Sequence, residues 1–189
     1  MHFNKSSFKS SFVLTLLLVF SAPASAGQFF VGLDATSLSP RVQFDNSNDT
    51  YTFNYPLRLK FGYFWNWAGL EFNVLSPDDA TKNVLGAPTT VKVDTSYGVY
   101  LALQEDWLYG RLGVTWLDTT FTRTAVDSYE VIAPTVSFGI QHNFGKHYRM
   151  NLGYTYMEGT TSYPNNTVGS GSDPIFNYSG FEFGFNVLF

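Results

Sequence analysis

Apolar and polar residues alternate with a period of two along most of this chain. Successive side chains of a strand point to opposite sides, so the pattern predicts strands with one greasy and one polar face. Eight segments carry it. Residues 28–38 put Phe29, Val31 and Leu33 together, and residues 52–64 do the same for Phe53, Tyr55, Leu57, Leu59, Phe61 and Tyr63. Residues 69–75 present Leu70, Phe72 and Val74, and residues 91–103 present Val93, Tyr97, Val99, Leu101 and Leu103. Leu108, Leu112, Val114 and Trp116 share a face of 107–117, and Val136, Phe138 and Ile140 share one of 132–143. Met150, Leu152, Tyr154 and Tyr156 line up on 148–157, and the eighth segment, 175–189, ends in FEFGFNVLF.

The connections alternate in length. Tight turns are expected at Asn66, at Gln104–Asp106 and at Gly145–Lys146, and long polar loops at 39–51, 76–90, 118–131 and 158–174. Short turns on one side and long loops on the other are the layout of a barrel that crosses a membrane. A soluble sandwich has no reason to sort its loops in this way. The pattern therefore predicts an all-β fold, an eight-stranded antiparallel up-and-down transmembrane β-barrel.

The opposite face supports closure. Each predicted strand carries a glycine there: Gly32, Gly62, Gly69, Gly98, Gly113, Gly139, Gly153 and Gly184. Eight strands enclose a narrow tube whose interior must be filled by small or closely fitted side chains. The same face carries Asp34, Arg58, Lys60, Glu71, Lys92, Asp94, Arg111, Arg149 and Glu182, four acids and five bases. Turned inward, the rings would overfill the tube and leave the charges in water. Turned outward they meet lipid, and the charges form a lumen network in which Arg58 or Lys60 pairs with Glu71. A lipid-facing Arg or Lys at mid-depth would cost about 2–4 kcal/mol. Trp65, Trp67 and Trp107 sit beside tight turns and Trp116 near the other end of its strand, which predicts two interfacial aromatic belts. Pro56 and Pro134 each remove a ladder donor and are expected near the loop-side rim.

Composition sharpens the picture. Lys5 and Lys9, the apolar run Phe12–Phe20 and Ala24-Ser25-Ala26 predict a cleaved signal peptide over residues 1–26, leaving one domain over 27–189. The run is shorter than the roughly 20 residues of a spanning helix. Without Lys5 and Lys9, nine basic residues face fifteen acidic ones, so the electrostatic footprint of a nucleic-acid binder is missing. Cysteine is absent, which excludes disulfides and thiolate metal sites. Aromatic residues make up 19% and charged residues only 14%, although no mature segment is continuously apolar. Alternation is what spreads so much apolar surface.

The ending resembles the C-terminal signature of bacterial outer-membrane barrels: Phe181, Phe183, Phe185 and Val187 at alternate places, then a final Phe189. The chain from residue 27 onward is similar to the small eight-stranded barrels of the OmpA/OmpX-like outer-membrane group. The resemblance implies a Gram-negative outer-membrane location. It also implies recognition of this last strand by the barrel assembly machinery and closure against the first strand.

Candidate chemistry is sparse. His142 and His147 both fall at the third tight turn, with no acid evident beside them to orient the ring. Asp45-Asn46-Ser47-Asn48-Asp49 and Ser76-Pro77-Asp78-Asp79 offer oxygen ligands, but the glutamate and glycine spacing of a calcium loop is missing. The reading is therefore a monomeric barrel with no catalytic residues, cofactor or metal. Its partners are outer-membrane lipid, lipopolysaccharide and a host or envelope surface ligand met by four external loops. The runner-up is a narrow channel, and a lipid A-modifying enzyme ranks third.

Overall fold

The computed structural model describes residues 27–44, 47–50, 56–76, 78–84, 87–122, 126–161 and 175–189. The expected signal peptide, the start of the second predicted strand and most of 158–174 lie outside them. The strands are β1 (Gln28–Phe44), β2 (Ser47–Thr50), β3 (Leu57–Phe64), β4 (Ala68–Leu75), β5 (Asp78–Val84), β6 (Ala87–Val93), β7 (Ser96–Glu105), β8 (Leu108–Thr122), β9 (Val126–Phe144), β10 (Tyr148–Thr161) and β11 (Ile175–Leu188).

Eight of these close a ring in the order β1, β3, β4, β7, β8, β9, β10, β11 and back to β1, every neighbour antiparallel. The seam joins the two ends of the chain, with Leu33 opposite Phe185 and Gln43 opposite Ile175. Phe189 donates its N–H to the Phe29 carbonyl at 2.8 Å, which pins the last residue to the first strand. Closure of these eight strands pairs the first with the last and so removes the two outer edges an open eight-stranded sheet would have.

The tight turns fall where the sequence places them. Asp106 takes a φ of 41° between β7 and β8, and Gly145 a φ of 69° between β9 and β10. Asp is among the few side chains that accept this left-handed region. The long loops are different from expectation. Much of their length is sheet: β1 runs on to Phe44 and pairs with β2, β5 and β6 form a hairpin, and the β8–β9 ladder continues to Thr122 opposite Val126. Thr and Val are frequent in these stretches, and β-branched residues suit a pleated surface.

Alternation holds along the walls. Val31, Leu33, Leu59, Leu101, Leu112, Phe138, Leu152 and Phe183 face outward and are exposed, whereas Asp34, Lys60, Arg111, Thr155 and Glu182 face inward and are buried. Pro56 immediately precedes β3 at the long-loop end, where its carbonyl accepts from Thr36 N–H at 3.1 Å. Pro134 lies inside β9, and the β9–β10 ladder lapses there, between Met157↔Thr135 and Thr160↔Ile132. A missing N–H donor accounts for the lapse.

Candidate functional site

The lumen is built in three layers. At the tight-turn end, Phe30, Phe64, Ala102 and Leu188 form a small apolar cluster. Phe30 and Phe64 stack at 5.2 Å, and the Arg149 guanidinium lies 5.6 Å from the centre of the Phe64 ring. Arg149 Nε donates to Asn143 Oδ1 at 2.8 Å, and Nη1 donates to Gln104 Oε1.

The middle layer is ionic. Glu182 accepts from Arg58 at 3.1 Å, from Arg111, from the Tyr109 hydroxyl at 2.5 Å and from the Thr155 hydroxyl at 2.6 Å. Lys60 lies 2.6 Å from Asp34, while Arg111 also reaches Glu71 at 2.7 Å and Asp34 at 3.6 Å. All six charged groups are almost fully buried. Three carboxylates and three cations cancel, which such burial requires, because a lone charge taken out of water costs several kcal/mol. Hydroxyl pairs extend the layer: Tyr100 with Thr115 at 2.5 Å, Thr115 with Thr135 at 2.8 Å and Ser137 with Thr155 at 2.8 Å.

Two glycines make room for this layer. A Cβ at Gly184 would lie 1.8 Å from Asp34 Oδ1, and one at Gly153 would lie 2.0 Å from the Tyr109 hydroxyl. No larger residue fits either place without displacing a member of the network.

The third layer, toward the long-loop end, is apolar. Leu75, Val91, Val93, Leu117, Val131, Ala133, Met157, Phe176 and Tyr178 pack together inside the wall. On the outside at this height stand Asp94, Asp118, Glu130 and Glu158. The polarity of the wall therefore inverts. Lower down it is apolar outside and ionic inside; higher up it is charged outside and apolar inside.

This inversion corrects part of the expected lumen network. Asp34, Arg58, Lys60, Glu71, Arg111, Arg149 and Glu182 do line the lumen. Lys92 and Asp94 do not: they pair with each other at 2.9 Å on the outer surface, their side chains 52% and 44% exposed. Val93 pairs with Thr119 but Tyr97 with Trp116, so β6–β7 holds one residue more than β8 across the same interval. An extra residue reverses which face each side chain takes. Val93, expected outside, is consequently buried inside. The expected pairing of Arg58 or Lys60 with Glu71 is also replaced. Glu71 takes Arg111 from across the lumen, Arg58 takes Glu182 and Lys60 takes Asp34.

Trp65, Trp67 and Trp107 are exposed beside the first two tight turns, and Trp116 lies on the outer face opposite Ile132. Phe181, Phe183, Phe185 and Phe189 are exposed on the outer face of β11 and its end, with Val187 half-buried beside them. His142 packs edge-on against Phe144 at 4.7 Å, and His147 Nδ1 lies 3.2 Å from the Leu188 carbonyl. Neither touches a carboxylate among the described residues, and none of those residues groups three or more metal-ligating side chains.

Residues 12–189 match the family described as outer membrane protein beta-barrel domain. The chain belongs to the outer-membrane β-barrel family. Solved structures that share the fold include the following two. Ail, the attachment invasion locus protein of Yersinia pestis, is 15% identical with a TM-score of 0.51, over 86% of this chain and 99% of that one. Neisserial surface protein A is 12% identical with a TM-score of 0.53, over 84% and 96%. Comparison by sequence with curated proteins finds no match. For an outer-membrane β-barrel the tight turns are periplasmic and the long-loop end is external. The greasy outer band from Phe144 to Ile132 on β9 then rises about 28 Å at a tilt near 45°. That matches the ~25 Å apolar band of such barrels. The inverted upper wall stands outside the membrane.

Proposed function

We propose that this barrel is a non-conducting mount that holds an external sheet for contact with a partner at the cell surface. One observation carries the reading: the lumen is filled by an ionic layer and an apolar layer, while the wall continues above the band with an apolar core of its own. A rigid scaffold that presents polar connections is a common way to place binding residues.

The sign of the rim suggests the partner. Among described side chains, Asp79, Asp94, Asp118, Glu130 and Glu158 are on the surface at this end, against Arg41 and Lys92. Residues 39–51, 76–90, 118–131 and 158–174 together contain nine acidic and three basic residues. Ail has been solved with a heparin analogue, sucrose octasulfate, a densely anionic ligand. An acidic rim repels such a molecule, and we read the partner here as a protein surface of positive charge. Complementary charge raises encounter rates and weakens with salt.

The final strand, with Phe181, Phe183, Phe185, Val187 and Phe189, serves in this reading as the signal for the barrel assembly machinery. Residues 1–26 serve as the export leader, and the folded barrel works as a monomer without catalysis.

Two measurements test the proposal. Purified protein in planar bilayers should show no conductance at any voltage; steady openings would favour a narrow channel instead. Cells displaying the protein should bind a cationic polypeptide but not heparin. Joint Asp94→Asn, Asp118→Asn, Glu130→Gln and Glu158→Gln substitution should abolish that binding at low salt. Binding that survives the substitutions would overturn the charge-based reading.

A further inference from the structure

The charges inside the barrel do not quite balance. Asp34, Glu71 and Glu182 neutralise Arg58, Lys60 and Arg111. Arg149 is the seventh lumen charge, only 6% exposed. Its hydrogen bonds go to the neutral side chains of Asn143 and Gln104, and its other contact is the Phe64 ring. No carboxylate among the described residues pairs with it.

Beside it lies a chamber. Lys60, Glu71, Tyr109, Arg111, Arg149 and Asn151 border a cavity of about 30 Å³ between the ionic layer and the Phe30–Phe64 cluster. Two buried donors on its lining, Arg111 Nε and Asn151 Nδ2, have no acceptor among the described residues. Asn151 and Arg111 are each 4% exposed. A buried donor without an acceptor costs roughly 1–3 kcal/mol. The chamber thus combines an uncompensated cation, two unused donors, one unused acceptor in Asn186 Oδ1 and a volume that suits two waters or one small ion with a water, since one probe sphere needs about 10–15 Å³.

We propose that this periplasmic chamber binds one halide ion, chloride under ordinary conditions, as the counter-ion of Arg149. The ion accepts from Asn151 and Arg111 and lies within the field of Arg149 and Lys60. Glu71 is the one carboxylate on the lining, and Arg111 holds it at 2.7 Å. The ion completes the charge balance of the lumen and links the periplasmic rim to the ionic layer.

Bromide is the direct probe. Crystals of the barrel grown in sodium bromide and measured at the bromine absorption edge should show an anomalous peak in the chamber, within contact of Asn151 and Arg111. In solution, the unfolding temperature should rise saturably with chloride or bromide but not with gluconate at equal ionic strength. Arg149→Gln should lose this halide response and Arg149→Lys should keep it. If Arg149→Gln does not fold, the bromide map of the unaltered protein decides alone. No anomalous peak, together with equal unfolding temperatures in chloride and gluconate, would overturn the proposal and leave the chamber to water.

Discussion

Glu182 is the residue on which the lumen turns. Four donors converge on its carboxylate, from β3, β8 and β10. Replacing it by Gln keeps the shape and removes the charge, which leaves Arg58 without its carboxylate. Breaking one side of a buried pair costs about 3–5 kcal/mol. Glu182→Gln should therefore lower stability by about that much, read from urea unfolding in lipid vesicles. The surface pair Lys92–Asp94 offers the contrast, since its side chains are 52% and 44% exposed. Lys92→Ala should change stability by less than about 1 kcal/mol. Equal losses in the two variants would contradict a network held by its burial. Glycines divide in the same way. Gly184→Ala drives a methyl group into Asp34, whereas a Cβ at Gly110 would meet nothing nearer than Ser137 O at 3.7 Å. Heat-modifiable gel mobility, which reports the closed barrel, should be lost or weakened for Gly184→Ala and kept for Gly110→Ala.

At the scale of the strand, what matters is where alternation breaks. Asp94-Thr95-Ser96 is a polar triplet in an otherwise alternating run, and it holds the one-residue excess that reverses β6 relative to β7. Val93 and Tyr97 are an even number of places apart, so plain periodicity puts both outside. The triplet was the available sign that they part company. The apolar layer is concealed in the sequence for a related reason. Phe176 and Tyr178 share a face with Glu182, and Met157 shares one with Arg149, so these apolar residues lie on the polar face of the alternation. Pairing in the ionic layer could not be read from neighbouring strands either, because Arg111 spans past β7 to reach Glu71. Pro134 has its own consequence. The β9–β10 ladder lapses beside it, so the amide of Glu158, which faces Pro134 across that gap, should exchange with deuterium faster than those of Tyr154 and Tyr156, which face β9 where the ladder is intact. Uniform protection along β10 would mean that the ladder is continuous.

At the scale of the molecule, the strand count, the sorting of turns, the inward glycines and the central charges were legible, because a narrow barrel forces each of them. The external sheet was not, because loops rich in Thr, Asn and Asp look alike in sequence whether or not they pair. The wall changes polarity at one height, with lipid-facing apolar residues below and water-facing charges over an apolar core above. Spin labels placed singly along β9 and measured for oxygen and nickel-chelate accessibility in lipid test it most directly. Labels at Phe138, Val136 and Ile132 should be open to oxygen and closed to the chelate. A label at Glu130 should be open to the chelate, and labels at Val131 and Ala133 closed to both. Oxygen-rich, chelate-poor signals at Glu130, or at Val131 and Ala133, would contradict the inversion and carry the membrane band up to the external hairpins.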